Sequence, residues 1–250
     1  MRMRRPSPLP APRAWAGFSL VELAVVLSVL GVLTLTAMSA FDNLGQMRQH
    51  NAARAHAEAA RQAVLAFALR NKRLPCPDTS ANGDSGREGG GAGCTSTTRN
   101  IGWLPYESLG LDLPAREQRL RYGVHRTLHA ITASSADQPD LERNGGFGRA
   151  LANLAAASAD TGQPHYANDG TPTACTGAGS QVSNPAFVLV APASDRDGDG
   201  SGFDGPHRNF IAAGNTCVLP PDYPAGSDYD DVVVVQSPST LLGWLMSVTR

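Results

Sequence analysis

Apolar side chains run almost unbroken from Phe18 to Phe41, and Glu22 is the only ionisable residue inside that run. About 20 such residues at 1.5 Å rise each cross the ~30 Å hydrocarbon core of a bilayer, so the run predicts a spanning helical segment over 18–41. Beyond Phe41 the pattern turns amphipathic, with no proline before Pro75. Ala52, Ala55, Ala59, Ala63 and Ala66 take one helical face, Arg54, Glu58 and Arg61 the other, and Val64, Leu65 and Phe67 widen the apolar surface. One helix is therefore predicted to run on to about Arg70, with its amphipathic half within 42–72, and Leu74-Pro75-Cys76-Pro77 ends it.

The remainder, 73–250, reads as a globular head. A polar stretch after Pro77 reaches Thr98 and contains Gly89-Gly90-Gly91; it has neither the lysine nor the spacing of a phosphate-binding loop. Between 119 and 130 the period becomes two. Leu120, Tyr122, Val124, Leu128 and Ala130 share one parity; Arg119, Arg121, His125, Thr127 and His129 share the other. That alternation predicts a strand with a basic, solvent-facing side. His125 and His129 have the spacing of a helical metal pair, but on a strand residues four apart are separated by ~13 Å and one ion cannot bridge them. Residues 131–185 read as loop around a short helix near 149–157. Phe187-Val188-Leu189-Val190 and Val232-Val233-Val234-Val235 are predicted buried strands. Ser239 or Thr240 is placed to cap a C-terminal helix carrying Leu241, Leu242, Trp244, Leu245 and Met246, too short to cross a membrane.

Charge and cysteine usage narrow the class. The 250 residues carry a formal net charge of −1, which excludes a broadly basic nucleic-acid binder. Arg2, Arg4, Arg5 and Arg13 precede the apolar run with no acidic residue among them. Positive charge stays on the cytoplasmic side, so everything after Phe41 is expected outside the inner membrane. Cys76, Cys94, Cys175 and Cys217 all lie on that exported side, and an even number there reads as two disulfides. Three pairings exist. Cys76–Cys94 and Cys175–Cys217 are favoured because each closes a loop rich in Gly, Ser and Thr. The absence of a C-x-x-C pair argues against zinc.

Asp195-Arg196-Asp197-Gly198-Asp199-Gly200 follows directly on a predicted strand. Carboxylates on alternate residues followed by a turn glycine reproduce the first half of an EF-hand loop, a calcium ligand set. The twelfth place holds Pro206 instead of Glu; Asp204 is a substitute, and Asp228, Asp230 or Asp231 could come in from elsewhere. The competing reading is a solvated acidic turn. No recognisable set of nucleophile, base and oxyanion donors exists, and the chain is read as not an enzyme.

Gly17-Phe18-Ser19-Leu20-Val21-Glu22-Leu23, behind its arginine-bearing leader and ahead of the apolar run, resembles the prepilin cleavage and methylation motif of type IV pilins and type II secretion pseudopilins. The match covers roughly the first fifty residues. Arg73-Leu74-Pro75-Cys76-Pro77-Asp78, Leu104-Pro105 and Leu109-Gly110-Leu111 are similar to segments of a subset of prepilin-like proteins.

The resemblance implies that a prepilin peptidase removes residues 1–17 by cutting between Gly17 and Phe18, that the Phe18 amine is methylated, and that Glu22 pairs with that amine as helices bundle. A carboxylate inside a membrane costs about +2.5–3.5 kcal/mol on insertion scales, so such a partner is needed. It further implies a pilin-like α+β fold, with a long N-terminal helix packed on an antiparallel sheet and long disulfide-tied loops. The expected partners are other pilin or pseudopilin subunits, the inner-membrane assembly platform and, before assembly, membrane lipid. The head would be periplasmic on a single-pass anchor. Major pseudopilins with a calcium-stabilised loop near the C-terminus raise the same expectation for Asp195, Asp197, Asp199 and Asp204. Two further classes fit the sequence: a minor or tip pilin acting as a binding module for adhesion or a secreted substrate, and a membrane-anchored periplasmic calcium-binding protein or enzyme.

Overall fold

A computed structural model describes residues 19–89, 100–125, 146–167, 175, 182–210 and 215–248. It contains two compact units, Met1–Gly45 and Gln46–Arg250. The element α1 (Leu20–Asn71) is an unbroken helix of 52 residues. After it come β1 (Ile101–Trp103), α2 (Tyr106–Leu109), β2 (Arg121–Val124), α3 (Gly146–Ala156), β3 (His165–Ala167), β4 (Val182–Ser183), β5 (Phe187–Ala191), β6 (Cys217–Val218), β7 (Val232–Gln236) and α4 (Pro238–Val248).

In the first unit, the side chains of Leu20 to Leu35 are exposed on every side of the helix. Among the described residues no helix is long and apolar enough to cross a membrane. The predicted span of 18–41 falls partly outside them: Phe18 is not described, nor are the side chains from Thr36 to Leu44.

The second unit begins on the last turns of α1, which stop where Lys72 takes a left-handed φ of 51° ahead of Pro75. Its buried face is not the predicted one. Ala53, Ala57, Ala60, Val64, Phe67 and Ala68 are buried, whereas Ala52, Ala55, Ala59 and Ala66 are exposed. Two alanine stripes compete at similar spacing. Val64 and Phe67 prolong the buried one, and large side chains decide the face because they remove the most apolar area from water.

The fold is α+β, with an antiparallel four-stranded sheet in the order β1-β2-β5-β7. A smaller sheet has the order β4-β3-β6, with β3 and β6 parallel. In the large sheet Tyr122 pairs with Leu189 and Leu189 with Val234. β5 is buried on both faces, which explains its unbroken apolar sequence. Phe187, Leu189 and Ala191 face the core formed with α1, α3 and α4; Val188 and Val190 face a second cluster with Trp103, Phe203, Phe210 and Val218.

Covering both faces of the sheet overturns the expected basic, solvent-facing side of β2. Arg119, Arg121 and His125 are all buried: Arg121 lies against the Trp103 and Phe203 rings, and Arg119 donates to the Asn82 and Pro114 carbonyls and to Asp84. The residues 126–130 of that predicted strand, His129 included, lie outside the described residues.

The C-terminal helix also starts earlier than predicted. Ser237, not Ser239 or Thr240, is the cap: its Oγ accepts the Thr240 N–H at 3.2 Å, and Pro238 occupies the first helical position. Proline is suited there because its missing N–H has no helical partner to lose. Cys175 and Cys217 form a disulfide with Cα atoms 5.6 Å apart. Cys76 is disulfide-bonded as well, and the favoured partner Cys94 lies outside the described residues.

Candidate functional site

Gly17 and Phe18 lie outside the described residues. Glu22 stands in the first turn of α1, exposed, where its Oε2 accepts the Ser19 backbone N–H at 3.4 Å and Ser19 Oγ accepts the Val21 N–H at 3.3 Å. Ser19 and Glu22 are thus reciprocal caps of the helix. The S-x-x-E spacing that signals this is visible in the sequence, at the head of the same apolar run.

The acidic loop after β5 winds on itself. Asp195 takes amide N–H groups on both oxygens: Gly198 at 2.8 Å and Asp199 at 3.2 Å on Oδ1, and Gly200 at 2.9 Å on Oδ2. Asp197 accepts Asp199 N–H at 3.2 Å and Gly205 N–H at 3.1 Å. Gly198 and Gly200 have φ of 71° and 81°, which side chains rarely tolerate, so glycines are required at these turns. Asp195, Asp197 and Asp204 bring carboxylate oxygens within 4.8 Å of one another. Asp199 is not in that group; it pairs with Arg208 Nη1 at 2.6 Å. The three converging carboxylates are hard-oxygen donors of the kind calcium takes, and Asp204 is the one fully buried member of the three.

Behind the loop lies a buried polar network. Asp204 is fully buried and accepts Arg196 N–H and Asp230 N–H, each at 2.9 Å. Burial first, then repulsion from Asp231 and Asp230, pushes its carboxyl up to about 6 against the two amide bonds. Asp231 Oδ2 accepts Asp204 N–H at 2.9 Å and His207 Nδ1–H at 3.0 Å, while Oδ1 has no hydrogen-bond partner; burial raises this carboxyl too. His207 Nε2 accepts Leu219 N–H at 3.1 Å, so the ring carries its proton on Nδ1. Burial lowers His207 to about 3 and keeps it neutral. With both ring nitrogens engaged by protein, the His207–Asp231 pair lacks a free base and a nucleophile, and its role is to tie the loop to β6 and β7. Asp230 accepts Ser194 N–H at 3.0 Å, the Ser194 hydroxyl and Arg196 Nε at 2.8 Å; Asp228 is exposed. Asp230 and Asp231 thus support the loop without joining the converging carboxylates.

Two further surfaces have no counterpart in the sequence reading. β7 is the edge of the large sheet and borders a cleft of about 1210 Å³ beside α1. There His50 Nδ1 donates to the Asp230 carbonyl at 3.1 Å, and Arg61 Nη1 donates to Gln236 Oε1 at 3.2 Å. On the opposite side of the sheet, Arg121 lies with its Cζ 4.0 Å from the Trp103 ring centroid and 4.7 Å from that of Phe203. No local signal links these three, since they come from β1, β2 and the segment after β5. No family model, no curated protein and no solved structure matches this chain.

Proposed function

We propose that this chain is a structural subunit of a type IV pilus or type II secretion pseudopilus, cut by prepilin peptidase after Gly17 and polymerised through α1. The observation that carries the reading is the exposure of Leu20 to Leu35 all round a helix that continues into an α+β head. A helix apolar on every side is stable only when buried in protein or lipid. Its few hydroxyls fit that setting, since Ser28 Oγ donates to the Val25 carbonyl at 2.8 Å and Thr34 Oγ1 to those of Leu30 and Gly31 at 3.0 and 2.8 Å. Phe18–Phe41 anchors the subunit in the inner membrane, the head lies in the periplasm, and the assembly platform moves the subunit into a filament. Glu22 pairs with the methylated Phe18 amine and sets the register between neighbours. The experiment is assembly of a Glu22→Ala variant in cells: it is cleaved normally and absent from sheared filaments. Normal incorporation would overturn the register role.

The acidic loop supports one addition. Calcium at Asp195, Asp197 and Asp204 rests on the convergence of their carboxylates, and thermal melting with and without chelator tests it.

A further inference from the structure

Strand β7 is an open edge of the large sheet, with β5 on one side and no strand on the other among the described residues. The whole of it, Val232–Gln236, borders the cleft of about 1210 Å³ beside α1. Successive residues of a strand point to opposite faces, so a cleft over one face would meet only alternate positions. Meeting every position means that the cleft runs along the strand's edge, where alternate residues turn their N–H and C=O groups away from β5. Natural edges are guarded by charged side chains, prolines, bulges or a covering element, and Val-Val-Val-Val-Gln carries neither charge nor proline. The segment across the cleft is unsuited to closing it as a strand, because Pro220, Pro221 and Pro224 lack the N–H that a ladder needs.

Two struts tie α1 to the ends of this edge. His50 Nδ1 donates to the Asp230 carbonyl at 3.1 Å, and Arg61 Nη1 to Gln236 Oε1 at 3.2 Å. Between them α1 advances about 17 Å at ~1.5 Å per residue, and the strand about 20 Å at ~3.3 Å per residue. Helix and strand therefore run in the same direction, and the trough between them is as long as about six extended residues. Its volume exceeds the ~300–1,000 Å³ of small-molecule sites.

The two walls differ in charge. On α1, Glu58 is held by Arg61, whose Nε donates to Oε2 at 2.9 Å, and it meets Arg54 only through space. Arg54 is exposed and forms no ion pair among the described residues. On the proline-rich wall Asp222 is exposed, beside Tyr223, whose ring packs edge-on against Tyr229 at 5.4 Å. Asp231 also borders the cleft, but it is buried and turned to the Asp204 amide and His207. A strand laid in the trough turns alternate side chains to opposite walls, so an acid suits the α1 side and a base the other.

We propose that an extended peptide segment of about six residues adds to β7 as a fifth strand, with an acidic side chain turned to Arg54 and a basic one turned to Asp222. Main-chain bonds to the edge supply the affinity and the alternating side chains supply the specificity. The site is independent of the filament reading.

The test titrates the full chain in detergent micelles with the acetylated, amidated hexapeptide Val-Lys-Glu-Tyr-Val-Thr, whose acid and base fall on opposite sides of a strand. Binding is read by calorimetry, and strand addition by the hydrogen exchange of the amides of residues 232–235. The peptide should bind saturably and slow exchange of the β7 amides that face the cleft. Methylating two successive backbone nitrogens of the peptide should abolish binding, since in either register one methyl meets β7. Arg54→Glu, at an exposed site, should weaken binding about five-fold or more, and replacing the acid of the peptide by lysine should restore it for that variant. No binding at about 5 mM peptide, equal binding of the methylated peptide, or an Arg54→Glu chain that binds both peptides as wild type does would each overturn the proposal. Sedimentation showing a dimer whose β7 amides are protected without peptide would overturn it too, because the edge would then belong to a second copy.

Discussion

Glu22 Oε2 accepts a hydrogen bond from the Ser19 backbone N–H at 3.4 Å, and Ser19 Oγ answers by accepting the Val21 N–H at 3.3 Å. This reciprocal cap gives the carboxylate a partner within its own helix, worth ~1 kcal/mol by the usual cost of losing a cap. The proposed filament gives it a second partner, the Phe18 amine. The two roles ask for different chemistry. A cap needs only an acceptor oxygen, whereas an ion pair in low dielectric needs the charge. Glu22→Gln keeps the acceptor and removes the charge; Glu22→Ala removes both. Both variants should be cleaved, and neither should appear in sheared filaments probed by immunoblot against the membrane fraction. Wild-type incorporation of the glutamine variant would show that the cap alone is what matters.

The two alanine stripes of α1 separate folding from assembly. Ala57 and Ala60 are fully buried against the sheet, while Ala59 is exposed. Ala57→Leu forces extra methylenes into a filled core and should destabilise the head by about 1–3 kcal/mol in urea unfolding. Ala59→Leu should stay within about 0.5 kcal/mol of wild type, as surface changes do. If helices bundle through the exposed stripe, the same Ala59→Leu should lower filament yield while the head stays folded. A larger stability loss at Ala59 than at Ala57 would mean that the buried face has been assigned to the wrong stripe.

These contrasts show where the sequence was informative. β5 and β7 were readable because four apolar residues in a row, bounded by turn formers, have few places to go but a buried strand. The span of α1 was readable because no proline interrupts it. Which alanine stripe turns inward was not, since alanines at 52/55/59 and 53/57/60 differ little in hydropathy and only Val64 and Phe67 break the tie. The alternation at Arg119, Arg121 and His125 pointed towards solvent for an understandable reason: polar alternation usually marks a one-sided sheet. Here Phe203, some eighty residues downstream, covers Arg121, and the turn carrying Asn82 and Asp84, far upstream, covers Arg119. In the acidic loop the spacing of Asp195 and Asp197 was legible, and so was Asp204 as the substitute. Asp199 was not separable from them, because its turn towards Arg208 depends on the short helical segment Gly205–Asn209.

That difference within the loop makes the calcium expectation specific. A ligand held only by the folded state adds RT ln(1 + [L]/Kd), about 2.7 kcal/mol at a hundredfold excess over Kd. Adding calcium after chelation should therefore raise the melting midpoint by roughly 5–11 °C, at about 2–4 °C per kcal/mol for a domain of 150–250 residues. Asp197→Asn should remove most of that shift. Asp199→Asn should preserve it, because its carboxylate is committed to Arg208 at 2.6 Å. A midpoint indifferent to calcium in the wild-type chain would eliminate the metal.

Asp204 and His207 give the head opposing responses to pH. Burial raises Asp204 from 3.8 to about 6, so its contribution to stability is complete below its unfolded value and is lost as pH rises through about 6. Burial lowers His207 from 6.5 to about 3, so its contribution is complete above 6.5 and is lost as pH falls towards 3. Asp231, also raised, acts in the same sense as Asp204. Between about pH 4 and 6 the acids therefore favour the lower pH and the histidine the higher. Asp204→Asn deletes one acid from this balance and leaves His207 in place. The variant will be less stable at every pH, because an amide cannot accept both the Arg196 and Asp230 N–H groups on equal terms. Its melting midpoint should nevertheless climb more steeply with pH across that window than the wild type's, measured in chelator so that metal binding does not contribute. Parallel curves for the two proteins would mean that Asp204 titrates at its ordinary value in the folded chain, and that the network behind the acidic loop is open to water.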